Sequence, residues 1–138
     1  MSNIKIGSKW ERDFCELLAS HGFWVHRIRA TESGQQPADV IAVRGRYHAL
    51  IDCKSVTTNR GFDLHRMEEN QRNAMRLFAE RGHEDGWFAL RFDDGSIKML
   101  SAWTANCLED QGVKSVKQTD DQHLWTFEAW LERAISWT

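Results

Sequence analysis

The sequence predicts an α/β domain built on a mixed sheet with helices packed against it. Three features carry that expectation: an amphipathic helical stripe opens the chain, two pairs of alternating segments are each joined by a glycine-containing tight turn, and a second helical stripe separates the pairs. Strands joined by tight turns are antiparallel neighbours, and helices set at intervals between them must cover the sheet they interrupt.

The first helix runs from about Gly7 to His21. Trp10, Phe14, Leu17, Leu18 and His21 recur at i, i+4, i+7, i+8 and i+11, which is one helical face. Gly22 stops it, and Phe23–Arg29 alternates as a strand should. Thr31–Gln36 is a polar loop closed by Pro37. Ala38–Val43 and Tyr47–Lys54 then form a hairpin around Arg44-Gly45-Arg46, and a Gly45-Arg46 loop with positive φ at the glycine suits a type II′ turn. Ser55–Leu64 reads as a loop and Arg66–Arg81 as a second helix, with Met67, Ala74, Met75, Leu77 and Phe78 on its apolar side. Gly86–Phe92, the turn Asp93-Asp94-Gly95 and Ser96–Leu100 make the second strand pair. A short helix near Ser101, one or two weak strands and a closing helix Phe127–Trp137 complete the chain.

Composition sets the broad class. With 138 residues, 41% hydrophobic, 28% charged and a single proline, the chain suits one globular domain spanning 1–138. Its core covers about 7–100 and its carboxyl-terminal extension 101–138. No apolar run reaches the roughly 18 residues of a membrane span, and the amino terminus lacks a secretory pattern. Cys15, Cys53 and Cys107 are odd in number and form no CxxC pair, which disfavours a disulfide framework or structural zinc and suggests a reduced, cytoplasmic setting. There is no P-loop, no GxGxxG and no HxxxH spacing. Residues 1–60 hold nine basic and six acidic side chains, and residues 61–138 hold nine and fourteen. A polyanion would meet the first half more favourably.

The hairpin is where the pattern becomes chemical. If Arg44 faces Tyr47 across the turn, Asp39 falls opposite Asp52, and strand alternation sends Asp52 and Lys54 to the same face. Opposed carboxylates repel, so a cation between them supplies a reason for the pairing. Oxygen donors of this kind suit Mg²⁺ or Mn²⁺, and an adjacent ammonium can orient a nucleophile or offset developing charge. These are the parts of phosphodiester hydrolysis. By itself the Asp52-Cys53-Lys54 tripeptide reads first as a surface ion pair on an amphipathic strand.

The wider order is more specific. Glu11 on a first helix, Pro37-Ala38-Asp39 opening a strand and Asp52-Cys53-Lys54 ending the next resembles the PD-(D/E)XK nuclease superfamily. More narrowly, GSKWERDFCELLASHGFWVHRIRA, PADVIAV and ALIDCKS look like Holliday junction resolvases of archaeal and RecU type. The likeness extends through FDLHRMEENQRNAMRLFAERG and GWFALRF, over about residues 7–100. It implies a restriction-endonuclease-like fold and a metal-dependent endonuclease acting on four-way or other branched DNA as a homodimer. It also implies Mg²⁺, with Mn²⁺ able to substitute, held by Asp39, Asp52 and the backbone carbonyl of Cys53, with Glu11 assisting. Lys54 is then catalytic, and Gln71, which interrupts the apolar side of the second helix, faces the active site. Asp52 stands where those resolvases commonly carry glutamate, and the long projecting insertion of RecU-type enzymes is absent from this sequence.

Arg12, Arg27 and Arg29 flank this constellation and suit bidentate contact with a DNA backbone. The Cys53 side chain reads as a small core residue. Most of the seven tryptophans, among them Trp10, Trp24, Trp87 and Trp130, read as core or dimer-face residues. Two alternatives stay open: a repair or restriction-type nuclease on duplex or flap DNA, and a non-catalytic DNA-binding module of the same fold.

Overall fold

The computed structural model describes residues 3–28, 36–82 and 84–136. Four α-helices are present among them: α1 (Asn3–Ser20), α2 (Glu69–Gly82), α3 (Ala102–Asp110) and α4 (Phe127–Ser136). The longer strands are β1 (Trp24–Arg27), β2 (Val40–Arg44), β3 (Tyr47–Val56), β5 (Trp87–Phe92) and β6 (Ile97–Ser101). Three short strands, β4 (Phe62–Asp63), β7 (Ser115–Val116) and β8 (Trp125–Thr126), and a 3₁₀ turn at Leu64–Arg66 complete the order.

Six strands form one sheet in the order β1-β2-β3-β5-β6-β8, and β4 pairs with β7 apart from it. The central β3–β5 pair is parallel and the other pairs are antiparallel. A parallel neighbour requires a crossover, and α2 lies within the segment that makes it. The β2–β3 hairpin closes at Gly45, whose φ of 60° a side chain would resist. Its register runs from Arg44↔Tyr47 to Val40↔Ile51, as the sequence predicts.

Alternation along β3 supplies two cores at once. Tyr47, Ala49, Ile51 and Cys53 face Trp10, Phe14 and Leu18 of α1 together with Phe127 and Trp130 of α4. Leu50 and Val56 face the opposite way, into a core completed by Met75 of α2, Phe88 and Leu90 of β5, and Leu108 of α3. A fully buried side chain of this size contributes about 1.5–3 kcal/mol, so the amphipathic stripes of α1 and α2 decide which sheet face each helix covers. Met75 packs against the backbone at Gly86, where any added Cβ would overlap its side chain.

Several boundaries differ from the sequence expectation. β1 covers only Trp24–Arg27, and β3 continues to Val56. The segment read as the loop Ser55–Leu64 holds β4 and the start of the 3₁₀ turn, capped by Asp63, which accepts from the His65 amide at 2.9 Å. That turn takes up Arg66, so α2 begins at Glu69. Trp10, Trp87 and Trp130 are core residues, whereas Trp24 lies exposed on the edge strand and Trp103 at the start of α3. Arg29 and most of the Thr31–Gln36 loop lie outside the described residues. Among the described residues, no helix is long and apolar enough to cross a membrane.

Candidate active site

Asp39 immediately precedes β2, and the sheet bends there. Its amide donates to the Ile51 carbonyl at 3.1 Å, one step out of the hairpin register. A regular antiparallel ladder would next bring the Cys53 amide to the carbonyl of Ala38. The Asp39 side chain takes that place: Cys53 N donates to Asp39 Oδ2 at 2.8 Å. The other oxygen, Oδ1, accepts from Gln36 Nε2 at 2.7 Å. Asn70 of α2 in turn donates to the Gln36 carbonyl at 2.8 Å, which ties this loop to the helix. The N–H and C=O of one strand residue leave by the same edge, so the Cys53 carbonyl opens toward the end of β2, where no strand remains to bond it.

Asp52 stands on the α2 face of β3 and is 1% exposed. Its Oδ1 accepts from Gln71 Nε2 at 2.8 Å. The Lys54 ammonium lies 3.1 Å from Oδ2, an ion-pair distance, yet out of hydrogen-bond alignment, so Oδ2 has no hydrogen-bond partner. Burial, reinforced by the charge of Asp39, raises the Asp52 pKa above the usual carboxylate range, and Lys54 opposes the shift. A buried carboxylate oxygen that accepts no hydrogen bond, beside a second carboxylate and the Cys53 carbonyl at the end of β2, offers oxygen donors of the kind a hard divalent cation takes. The residues present therefore fit such an ion.

Glu11 approaches from the other side of the sheet, on α1. Its Oε1 lies 3.4 Å from Arg27 Nη2. Burial first, and then the Asp39 charge, raise its pKa, while Arg27 lowers it. Among the described residues no three His, Cys, Asp or Glu side chains are gathered closely enough to share one ion. The structure thus brings Asp39, Asp52, Lys54 and Gln71 together and leaves Glu11 at the margin, engaged with Arg27. Arg12 is exposed on α1. The Cys53 thiol faces the α1 core, and burial pushes its pKa up, as befits a core side chain.

Sequence reasoning missed Gln36, Asn70 and Arg66. Arg66 Nη1 donates to the Ser55 carbonyl at 2.9 Å and lies close enough to feel the Asp52 charge. Gln36 in a polar loop and Arg66 in a three-residue 3₁₀ turn carry no periodic signal, Asn70 reads as an ordinary polar residue at the start of α2, and only the tertiary fold brings the three to this end of the sheet.

The chain resembles known proteins in family and in fold. A family model for the archaeal Holliday junction resolvase, Hjc, matches residues 2–132. The solved structure of Hjc from Archaeoglobus fulgidus, a Holliday junction resolvase from an archaeal hyperthermophile, matches with a TM-score of 0.57. The match covers 90% of this chain and 91% of that one at 16% identity, and it shows a shared fold. No curated protein matches the chain. Fold and family together define an endonuclease of the PD-(D/E)XK type. The chain belongs to the archaeal Holliday junction resolvase family, and it is a nuclease of branched DNA. Resolvases of this family work with a divalent metal.

Proposed function

We propose that Asp39, Asp52 and the Cys53 carbonyl hold Mg²⁺, with Mn²⁺ able to substitute, and that the site cuts four-way junctions in the cytoplasm, leaving 5′-phosphate ends. When bound, the ion acidifies a water and stabilises charge on a phosphoryl oxygen. Lys54 orients the attacking water and offsets the charge that develops on the phosphate. Gln71 fixes the rotamer of Asp52 without adding charge, and Gln36 does the same for Asp39. Arg12, Arg27 and Arg29 position the DNA backbone. Glu11 assists from the margin, through its link with Arg27. Two symmetric cuts across one junction require two such sites, so the working unit is a homodimer.

The observation that carries this reading is the buried Asp52 Oδ2, which accepts no hydrogen bond and lies in ion-pair contact with Lys54 beside the carboxylate of Asp39. The test is a gel assay with a four-way junction, a matched duplex and a flap, each with and without Mg²⁺. The junction is expected to be cut in paired strands only when Mg²⁺ is present. Asp52→Asn and Lys54→Ala are expected to bind junction while cutting it orders of magnitude more slowly. Wild-type cutting by Asp52→Asn would remove the site. Equal cutting of duplex and junction would return the repair or restriction-type alternative, and light scattering of the free protein reads the dimer.

A further inference from the structure

Beside the acids, on the same face of the sheet, the edge strand β1 carries two aromatic rings that the fold does not bury. Trp24 is 62% exposed. Its ring and that of His26 lie parallel within 6°, with centroids 6.0 Å apart. Register fixes where they point. Trp24 pairs with Val43 and through it with His48, and His26 pairs with Ile41 and through it with Leu50. His48 packs on Phe78 and Leu50 joins the α2-side core, so these rows face α2. The next row begins at Ile28, whose amide donates to the Asp39 carbonyl at 2.8 Å, and ends at Asp52 on the same face.

Strand geometry turns these rows into distances. With ~3.3 Å per residue along a strand and ~4.8 Å between strands, His26 lies roughly 8 Å from Asp39 and Trp24 roughly 14 Å. One strand of duplex DNA advances ~3.4 Å along its axis per nucleotide, so this span corresponds to a few nucleotides. An exposed pair of parallel, stacked rings at that distance from the acids offers an outer ring face to a base, and every base has a π-face to lay on it. A paired duplex keeps its bases stacked inside, whereas a branch point held open interrupts the stack and exposes base faces.

We infer that Trp24 and His26 form a stacking platform for a nucleobase exposed at the branch point, and that this platform contributes to the preference for branched over linear DNA. The inference rests on the assignment of the DNA-cutting site to Asp39, Asp52 and Lys54. A second copy of the chain is the weaker occupant. Pairing on the β1 edge would use the backbone and leave both rings on the face, and one large apolar side chain flanked by histidine and arginine is a poor hydrophobic dimer seam.

The experiment places 2-aminopurine at the branch of a four-way junction and follows its fluorescence in the first seconds after mixing, before cutting. The wild-type chain is expected to quench the probe, and Trp24→Phe to keep most of the quenching. Trp24→Leu is expected to lose it and to bind the junction about 5–30-fold more weakly, with duplex affinity changed less than about twofold. His26→Ala is expected to lose about 2–5-fold in junction affinity and part of the quenching. Unchanged quenching in Trp24→Leu overturns the inference, as does an equal loss of affinity for duplex and junction. A change of oligomeric state in Trp24→Leu with full quenching also overturns it, in favour of the second copy. Cleavage of junction by Asp52→Asn, assayed separately, reports on the site itself, so the two failures are distinguishable.

Discussion

The side-chain amide of Gln71 donates to Asp52 Oδ1 at 2.8 Å, so a neutral group from the first turn of α2 holds one oxygen of the most deeply buried acid in the site. A neutral donor satisfies that oxygen and leaves the negative charge undiminished for a cation. An arginine in its place would draw the carboxylate pKa down and compete with the metal for the same charge.

Gln71→Ala is therefore expected to cost stability and rate together. It leaves a buried acceptor without a donor, a loss of about 1–3 kcal/mol, read as a lower thermal midpoint. Single-turnover cleavage of a junction is expected to fall about tenfold with little change in junction affinity, because Asp52 loses its orientation. An unchanged rate at saturating Mg²⁺ would mean that Lys54 and the metal orient Asp52 unaided.

Asp52→Asn is expected to stabilise the metal-free protein. The Asp52 pKa is raised on folding, so the folded state binds its proton more tightly than the unfolded chain does. That contribution is complete below the unfolded value and is lost as pH rises through the folded one. The asparagine variant should therefore gain midpoint over wild type at pH 8 and gain little at pH 4. About 1 kcal/mol is expected, or roughly 3–5 °C for a chain of this size. Mg²⁺ should raise the wild-type midpoint most at high pH and leave the variant unmoved. Melts across pH with and without Mg²⁺ read both effects.

Glu11→Gln separates two roles for that residue. Removing the carboxylate that faces Arg27 at 3.4 Å takes one negative charge from the surface that meets DNA, so junction affinity is expected to rise about 2–5-fold at low salt. A cleavage rate reduced by less than tenfold is the outcome expected of a residue at the margin. A loss as large as that of Asp52→Asn would instead make it a metal ligand in the DNA complex.

Glu84 and Arg133 give a test of the fold away from the site. Glu84 is 2% exposed and its Oε2 lies 2.6 Å from Arg133 Nη1, joining the approach to β5 with α4. Arg133→Met is expected to cost about 3 kcal/mol, since it strands a buried charge, and adding Glu84→Gln should restore a large part of it. Urea denaturation of the single and double variants measures the difference. Equal stabilities would show that water reaches Glu84.

The hairpin register was legible in the sequence because Gly45 defines a two-residue loop and alternation then places each residue, down to Val40 opposite Ile51. Gln71 was legible for a related reason: a polar residue breaking an apolar helical stripe has to meet something polar. The bend at Asp39 was not, since it depends on a side chain replacing a backbone carbonyl. Two-residue strands such as β4 and β7 have no period of their own, and their pairing is imposed by a partner some fifty residues away. The exposure of Trp24 was hidden for the opposite reason. An edge strand alternates like any other, and alternation alone cannot tell a covered face from a bare one.

The bond from the Cys53 amide to Asp39 has a spectroscopic consequence. A backbone N–H that ends on a carboxylate senses whatever else that carboxylate binds, and Asp39 Oδ2 is the acceptor here. In an ¹⁵N-labelled sample the Cys53 cross-peak should move as divalent ion is titrated, and its exchange with deuterium should slow or quicken with occupancy. One backbone proton in the middle of the chain thus reports, without DNA and without turnover, whether the site is loaded.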